Sequence, residues 1–230
     1  MADPKSRSVK RIILRIAFIG FWLWVLFGGA GTIYWLRGWI FVLVASAGMA
    51  GLGAAIKRFN PALMEARMKW RHANTKPFDR VILAVYLPLT LIQPALAGID
   101  AVRFGWTSMP FWTVYAGAAL YIAGFALMGW IFAVNPYAET TVRIQTERGH
   151  TVVDSGPYRF VRHPMYVAIV IMHVAAPLIL GSWWSLSVAL PIALLFIVRT
   201  ALEDRALRSE LAGYDEYAGR TPYRLVPGVW

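Results

Sequence analysis

The sequence predicts an all-α polytopic membrane protein with about six transmembrane helices and both termini in the cytoplasm. A C-terminal helical hairpin and polar cytoplasmic segments complete the expected architecture. Three observations carry this. Of 230 residues, 58% are hydrophobic and 15% charged, with a mean hydropathy of +0.53, whereas soluble domains average about 45–50% apolar residues. Six apolar stretches approach the roughly 20 residues needed to cross about 30 Å of hydrocarbon. The basic residues collect in alternate loops. This composition excludes a disordered chain. The absence of cysteine excludes a disulfide framework and Cys-ligated zinc or iron–sulfur sites.

The first stretch runs from about Ile16 to Trp35. Its basic start and apolar run imitate a signal peptide, but the run is too long and no clean small-x-small site follows, so it reads as a transmembrane helix. Trp22, Trp24, Tyr34, Trp35 and Trp39 read as interfacial aromatics. The second stretch is Gly38 to Ile56. The basic loop at 57–80 follows, interrupted by Leu63, Met64, Met68 and Trp70. That loop fits either an amphipathic helix on the inner leaflet or a solvated basic connector. The third and fourth stretches cover Val81–Ile99 and Pro110–Ala133. The fifth and sixth, Pro164–Leu180 and Trp183–Val198, are short and joined by Gly181-Ser182, which predicts a tight antiparallel hairpin. The chain divides into residues 1–134, four spans, and 135–230, the hairpin with its polar flanking segments. There is no internal repeat and no soluble domain.

Twenty-three Lys and Arg against 12 Asp and Glu give a net charge of +11, and the pI is near 10.3. Such a balance can signal nucleic-acid binding. Its distribution says otherwise: all but Arg37 and Arg103 fall in the N-terminal segment, the second and fourth loops, or the C-terminal segment. The positive-inside rule accounts for that pattern and assigns these segments to the cytoplasm, without nucleic acid.

Chemistry concentrates in two places. The first is 135–164, polar, punctuated by Gly and Pro, and too long for a connector. It contains Asn135-Pro136-Tyr137, Gln145, His150-Thr151-Val152-Val153, Gly156-Pro157-Tyr158 and Arg162-His163-Pro164-Met165-Tyr166. Pro164 is suited to open a helix, whose free N–H groups attract anions. His163 fits a helix cap or a site residue, and His150 a turn or a site residue. The second is Arg199-Thr200-Ala201-Leu202-Glu203-Asp204, where Arg199 and Glu203 are spaced i, i+4 on one helix face. An intrahelical ion pair is one reading. The other is that Arg199 holds a carboxylate and Glu203 a cation. His173, within a span, reads as a hydrogen-bonded bundle residue and His72 as a surface residue. No His spacing makes a metal site. The tail, with Tyr214, Tyr217 and Arg224-Leu225-Val226-Pro227, has the length to fold back over the polar loop.

Taken together, Gly156-Pro157-Tyr158, Arg162-His163-Pro164-Met165-Tyr166, Glu203-Asp204 and the Tyr-rich tail resemble the isoprenylcysteine carboxyl methyltransferase family, itself related to the phospholipid N-methyltransferases. The resemblance covers roughly Asn135 to Trp230 and implies that 135–230, with its cytoplasmic segments, is the cofactor-binding and catalytic region. It implies S-adenosyl-L-methionine as cofactor. It implies that Gln145, His150, Thr151, Val152, Val153, Tyr158, His163, Pro164, Met165 and Tyr166 form the pocket, that Glu203 contacts the cofactor's amino group, and that Arg199 positions the acceptor. Two positions depart from the family pattern: Val167-Ala168 follow the motif tyrosine where Gly is usual, and the acid pair is Glu203-Asp204 instead of two glutamates.

The expected activity is methyl transfer to a hydrophobic or lipid-linked acceptor in the bilayer, foremost the carboxylate of a prenylcysteine-like substrate. A carboxylate needs alignment and no base. An amine must first lose a proton, with Glu203, His163 or a tyrosine assisting. Phospholipid or small-molecule N- or S-methylation is the alternative within the fold. Membrane sterol reductases, which bind NADPH, are the alternative outside it, but lack a counterpart to Arg162-His163-Pro164.

Overall fold

Apolar runs of this length satisfy their backbone inside a bilayer only as helices, and helices are what form. A computed structural model describes residues 4–68 and 74–230. The chain runs through α1 (Pro4–Ala30), α2 (Leu36–Phe59), α3 (Pro61–Met68), α4 (Pro77–Gly98), α5 (Trp112–Val134), α6 (Pro164–Leu180), α7 (Trp183–Glu210) and α8 (Tyr214–Arg220). A π-helical turn, Ile99–Phe104, extends α4, and no strand occurs among the described residues. Four helical segments there are long and apolar enough to cross a membrane: 36–59, 77–104, 112–134 and 183–210. Ile16–Ala30 and Pro164–Leu180 are shorter apolar helices. The protein is a multi-pass, all-α membrane protein.

Three boundaries differ from the sequence expectation. Helix α1 stops at Ala30, before Trp35, because Gly31 adopts a left-handed conformation (φ 72°). Trp35 then turns inward, 6% exposed and edge-on to Phe27, while Tyr34 stays 91% exposed. Helix α7 does not end at Val198 but continues to Glu210. Its polar turns stay helical because their charges are paired: Arg199 with Asp79, and Asp204 with Arg162. Arg199, Glu203 and Asp204 therefore stand on a rod continuous with the membrane span. In the 57–80 loop, Pro61–Met68 is helical and docks on protein, with Leu63 fully buried in one core with Ile131 and Phe132. The Met68 side chain, Trp70 and His72 lie outside the described residues.

The α6–α7 hairpin forms as its two linking residues require. Gly181 takes φ 84° and returns its N–H to Pro177 O at 2.7 Å. Ser182 caps α7, accepting from Ser185 N–H at 2.9 Å. Its hydroxyl also donates to the buried Asp100 carboxylate at 2.6 Å. Helices α5 and α6 pack most extensively, because Gly117 and Gly124 let their backbones approach. A Cβ on Gly117 would lie 2.8 Å from Ala175 O, and one on Gly124 would lie 2.6 Å from Met172 Cγ. His173 is hydrogen-bonded within the bundle, to Tyr86 Oη (3.0 Å) and Gln93 Oε1 (2.7 Å).

The even loops and the tail gather at one end of the bundle. Arg67 donates to Ala138 O, Lys76 N–H to Val142 O, and Arg199 to Thr140 O. At the opposite end Arg37 donates to Met109 O and Arg103 to Gly28 O.

Candidate active site

The end that collects the polar loops holds a cleft enclosing about 870 Å³, counting its open mouth. Its far wall is the loop after α5. Asn135 turns the chain, accepting from Tyr137 N–H at 2.8 Å and donating to Tyr158 Oη at 2.6 Å. Glu139, almost fully buried, receives the Arg143 guanidinium in a two-point fork at 2.8 and 2.9 Å. Such fork pairs fix orientation as well as charge. Asp79, from the first turn of α4, accepts Val142 N–H at 2.8 Å and so pins this loop to the bundle.

The near wall is the Arg162–Tyr166 turn against α7. Asp204, 1% exposed, is its hub. Arg162 reaches it with Nε at 2.8 Å and Nη2 at 3.2 Å, Arg224 with Nε at 3.0 Å, and the Tyr214 hydroxyl at 3.0 Å. A buried carboxylate is tolerable only when paired in this way. The same Arg162 donates to Thr221 O and Pro222 O. Arg162 and His163 N–H groups meet Tyr223 O and Arg224 O, both at 3.0 Å. The tail thus folds back onto the motif turn and is held there. His163 sits at the N-cap position of α6, its ring stacked on Tyr166 with centroids 5.7 Å apart. The Tyr166 hydroxyl donates to Glu203, whose carboxylate faces the cleft.

Of the residues expected from sequence, His150, Thr151, Val152, Val153, Tyr158, His163, Met165, Tyr166 and Glu203 line this cleft together. Gln145 and Pro164 do not. Gln145 is 1% exposed and organises the loop instead, donating to Tyr137 O at 2.8 Å and accepting from Arg148 at 2.6 Å. Pro164 is the first residue of α6. The arrangement also recruits Tyr137, Arg143, Tyr214 and Tyr217, which the motif alone does not identify.

Arg199 stands apart. Its guanidinium is 2.8 Å from Asp79 Oδ1, an ion pair off the angle of a good hydrogen bond, and it donates to Thr140 O at 3.0 Å. It therefore does not pair with Glu203, as its helical spacing allows. It faces a second space, an apolar cavity of about 1570 Å³ among α2, α4, α5 and α6, counting its openings. Met165 and Glu139 line both spaces and form the partition between them.

Electrostatics divides the cleft's groups by role. Burial, with the nearby Arg143 and Arg148 charges, holds the His150 imidazole down to about 4, so it is neutral at physiological pH. Burial pushes the Tyr158, Tyr214 and Tyr217 phenols upward, which keeps them protonated as donors. The Thr141 hydroxyl, in the cleft wall, is buried without a hydrogen-bond partner among the described residues. An orphaned hydroxyl, a cleft-facing carboxylate and apolar walls at Val152 and Val153 fit a ligand with polar groups, a cationic group and a flat aromatic ring. S-adenosylmethionine has all three.

Fold and site together define a multi-pass membrane protein with an enzyme-like cleft at the membrane boundary. Residues 112–212 match the phospholipid methyltransferase family, the integral-membrane methyltransferases related to the isoprenylcysteine carboxyl methyltransferases. The matched stretch covers α5, the polar loop, α6 and α7, which supply most of the cleft's lining, and supports a membrane methyltransferase. The chain is also 40% identical over 86 residues to the cobalt-zinc-cadmium resistance protein CzcN of Cupriavidus metallidurans, covering 34% of this chain and 37% of that protein. The chain thus matches little more than a third of the length of this curated relative.

Proposed function

We propose that the protein is an S-adenosylmethionine-dependent methyltransferase acting on a lipid-like acceptor, foremost a carboxylate on an apolar chain. The observation that carries this reading is the adjacency of a polar cleft and an apolar cavity across a partition of Met165 and Glu139. A water-soluble donor and a membrane-dissolved acceptor need such an arrangement. Loaded with its arginines and turned by the positive-inside rule, the cleft end would face the cytoplasm.

Glu203 would hold the cofactor's amino group, its carboxylate fixed by the Tyr166 hydroxyl. The His150–Val153 stretch, Tyr158 and Met165 would form the remaining walls. When bound, S-adenosylmethionine supplies an electrophilic sulfonium methyl group. The chain's part is alignment and exclusion of water, which together account for up to about 7–11 kcal/mol in well-oriented reactions. Arg199 faces the acceptor side and keeps its orientation through Asp79 and Thr140 O. A carboxylate acceptor arrives ionised and requires no base. For an amine acceptor the cleft offers Glu203 and His163 as proton acceptors, since the raised phenols of Tyr158, Tyr214 and Tyr217 are not bases at neutral pH.

Calorimetric titration of the detergent-purified protein with S-adenosylmethionine, S-adenosylhomocysteine and NADPH tests the reading. The first two bind the wild type, and Glu203→Ala weakens both roughly tenfold or more, the size of one lost charge-assisted contact. Binding of NADPH alone would replace this reading with a reductase.

A further inference from the structure

The apolar cavity is lined by three charged side chains among the described residues, Arg67, Glu139 and Arg199. Two are already compensated. Glu139 is held by the Arg143 fork and by Arg148, and Arg199 by Asp79. Arg67 is different. It projects from α3, lays its guanidinium 4.4 Å from the centroid of the Phe132 ring, and donates one N–H to Ala138 O at 2.6 Å. No carboxylate of the described residues lies within ion-pairing distance of it. Arg67 lines the cavity, and its guanidinium makes no other hydrogen bond to a described residue besides that to Ala138 O. Burial lowers its pKa to about 10, and the more distant Glu139 only partly offsets that, so it stays a cation at neutral pH, desolvated and under-compensated.

We propose that Arg67 is the anion anchor of the apolar cavity, binding the carboxylate or phosphate head group of a single-chain lipid whose tail fills the space among α2, α4, α5 and α6. The argument is charge complementarity. A greasy cavity with one cation that no described carboxylate pairs, beside the Asp79-paired Arg199, selects a molecule with an apolar chain and an anionic end. A guanidinium engages either oxyanion with two parallel hydrogen bonds. The position suits transfer: the residue that accepts from Arg67, Ala138, lines the polar cleft and adjoins the partition residue Glu139. Arg67 therefore holds the head group beside the cofactor's side of the partition. This deepens the methyltransferase reading and rests on it for the reaction, though not for the binding.

The test is calorimetry in dodecyl maltoside micelles with oleate, oleoyl lysophosphatidate and oleyl alcohol, and in parallel with S-adenosylmethionine. The wild type binds at least one anionic probe about tenfold or more tighter than the alcohol, as one charge-assisted pair predicts. Arg67→Gln reduces that preference to within about threefold, Arg67→Lys retains most of it, and neither variant changes cofactor affinity more than about threefold. Whichever anion shows the larger Arg67-dependent preference identifies the head group. A wild type without anion preference overturns the proposal, as does a preference that survives Arg67→Gln. The wild-type comparison needs no variant to fold. Failure of S-adenosylmethionine to bind, with an Arg67-dependent anion preference intact, would remove the methyltransferase reading and leave this site standing.

Discussion

At the scale of single residues, the cleft is governed by which polar groups are neutralised by neighbours. His150 accepts the Gln145 N–H through Nδ1 at 3.3 Å and packs against Tyr137, with ring centroids 4.3 Å apart. Its protonated form is disfavoured by burial and by Arg143 and Arg148, so its pKa drops to about 4. The unfolded chain binds this proton near pH 6.5. Folded stability is therefore full above that value and declines as pH falls toward about 4. Melting curves at pH 5 and pH 7.5 check this: the drop on acidification is smaller in His150→Gln than in the wild type, and equal drops would refute it. His150 and the Arg162–Tyr166 motif were legible in sequence because type and order are local information. Asp79 was not. It sits just before a span, with nothing nearby in sequence to mark it as the partner of Arg199, which lies 120 positions on. The Gln145 expectation met the limits of resemblance: the residue faces into its own loop and not into the cleft.

At the scale of helices, membrane packing lacks a hydrophobic drive between apolar surfaces and depends on close fit. Gly117 makes that fit between α5 and α6, where a Cβ would come 2.8 Å from both Ala175 O and Ile179 N. These are backbone atoms and do not yield as a flexible side chain does. Gly117→Leu must push α6 away, and with it the Arg162–Tyr166 turn at its start. Overpacking of this kind costs about 1–3 kcal/mol or more. A fall in the detergent melting temperature of several degrees is expected, with weaker S-adenosylmethionine binding although no cleft residue changes. An unchanged melting temperature and affinity would contradict the packing account. Hairpin, spans and tail were legible from hydropathy and from Gly181-Ser182. The length of α7 was not, because its last three turns are charged and their helicity depends on partners contributed by α4, the motif turn and the tail.

At the scale of the whole molecule, one end of a helical bundle gathers a polar cleft and an apolar cavity on either side of Met165 and Glu139. The six apolar stretches foretold the bundle, and the motif foretold most of the cleft. The cavity was invisible in sequence, since it is lined by side chains of α2, α4, α5 and α6 that lie far apart in the chain and meet only in the folded bundle. The central claim is that a methyl group crosses that partition to a lipid-like acceptor. The most direct measurement supplies tritiated-methyl S-adenosylmethionine to membranes containing the protein and counts label in the organic extract. The account predicts organic-phase label that Glu203→Ala reduces about tenfold or more at sub-saturating cofactor and, for a carboxylate acceptor, release of that label as volatile methanol by mild base. Organic-phase label no higher than in membranes without the protein, or equal with Glu203→Ala, would contradict it.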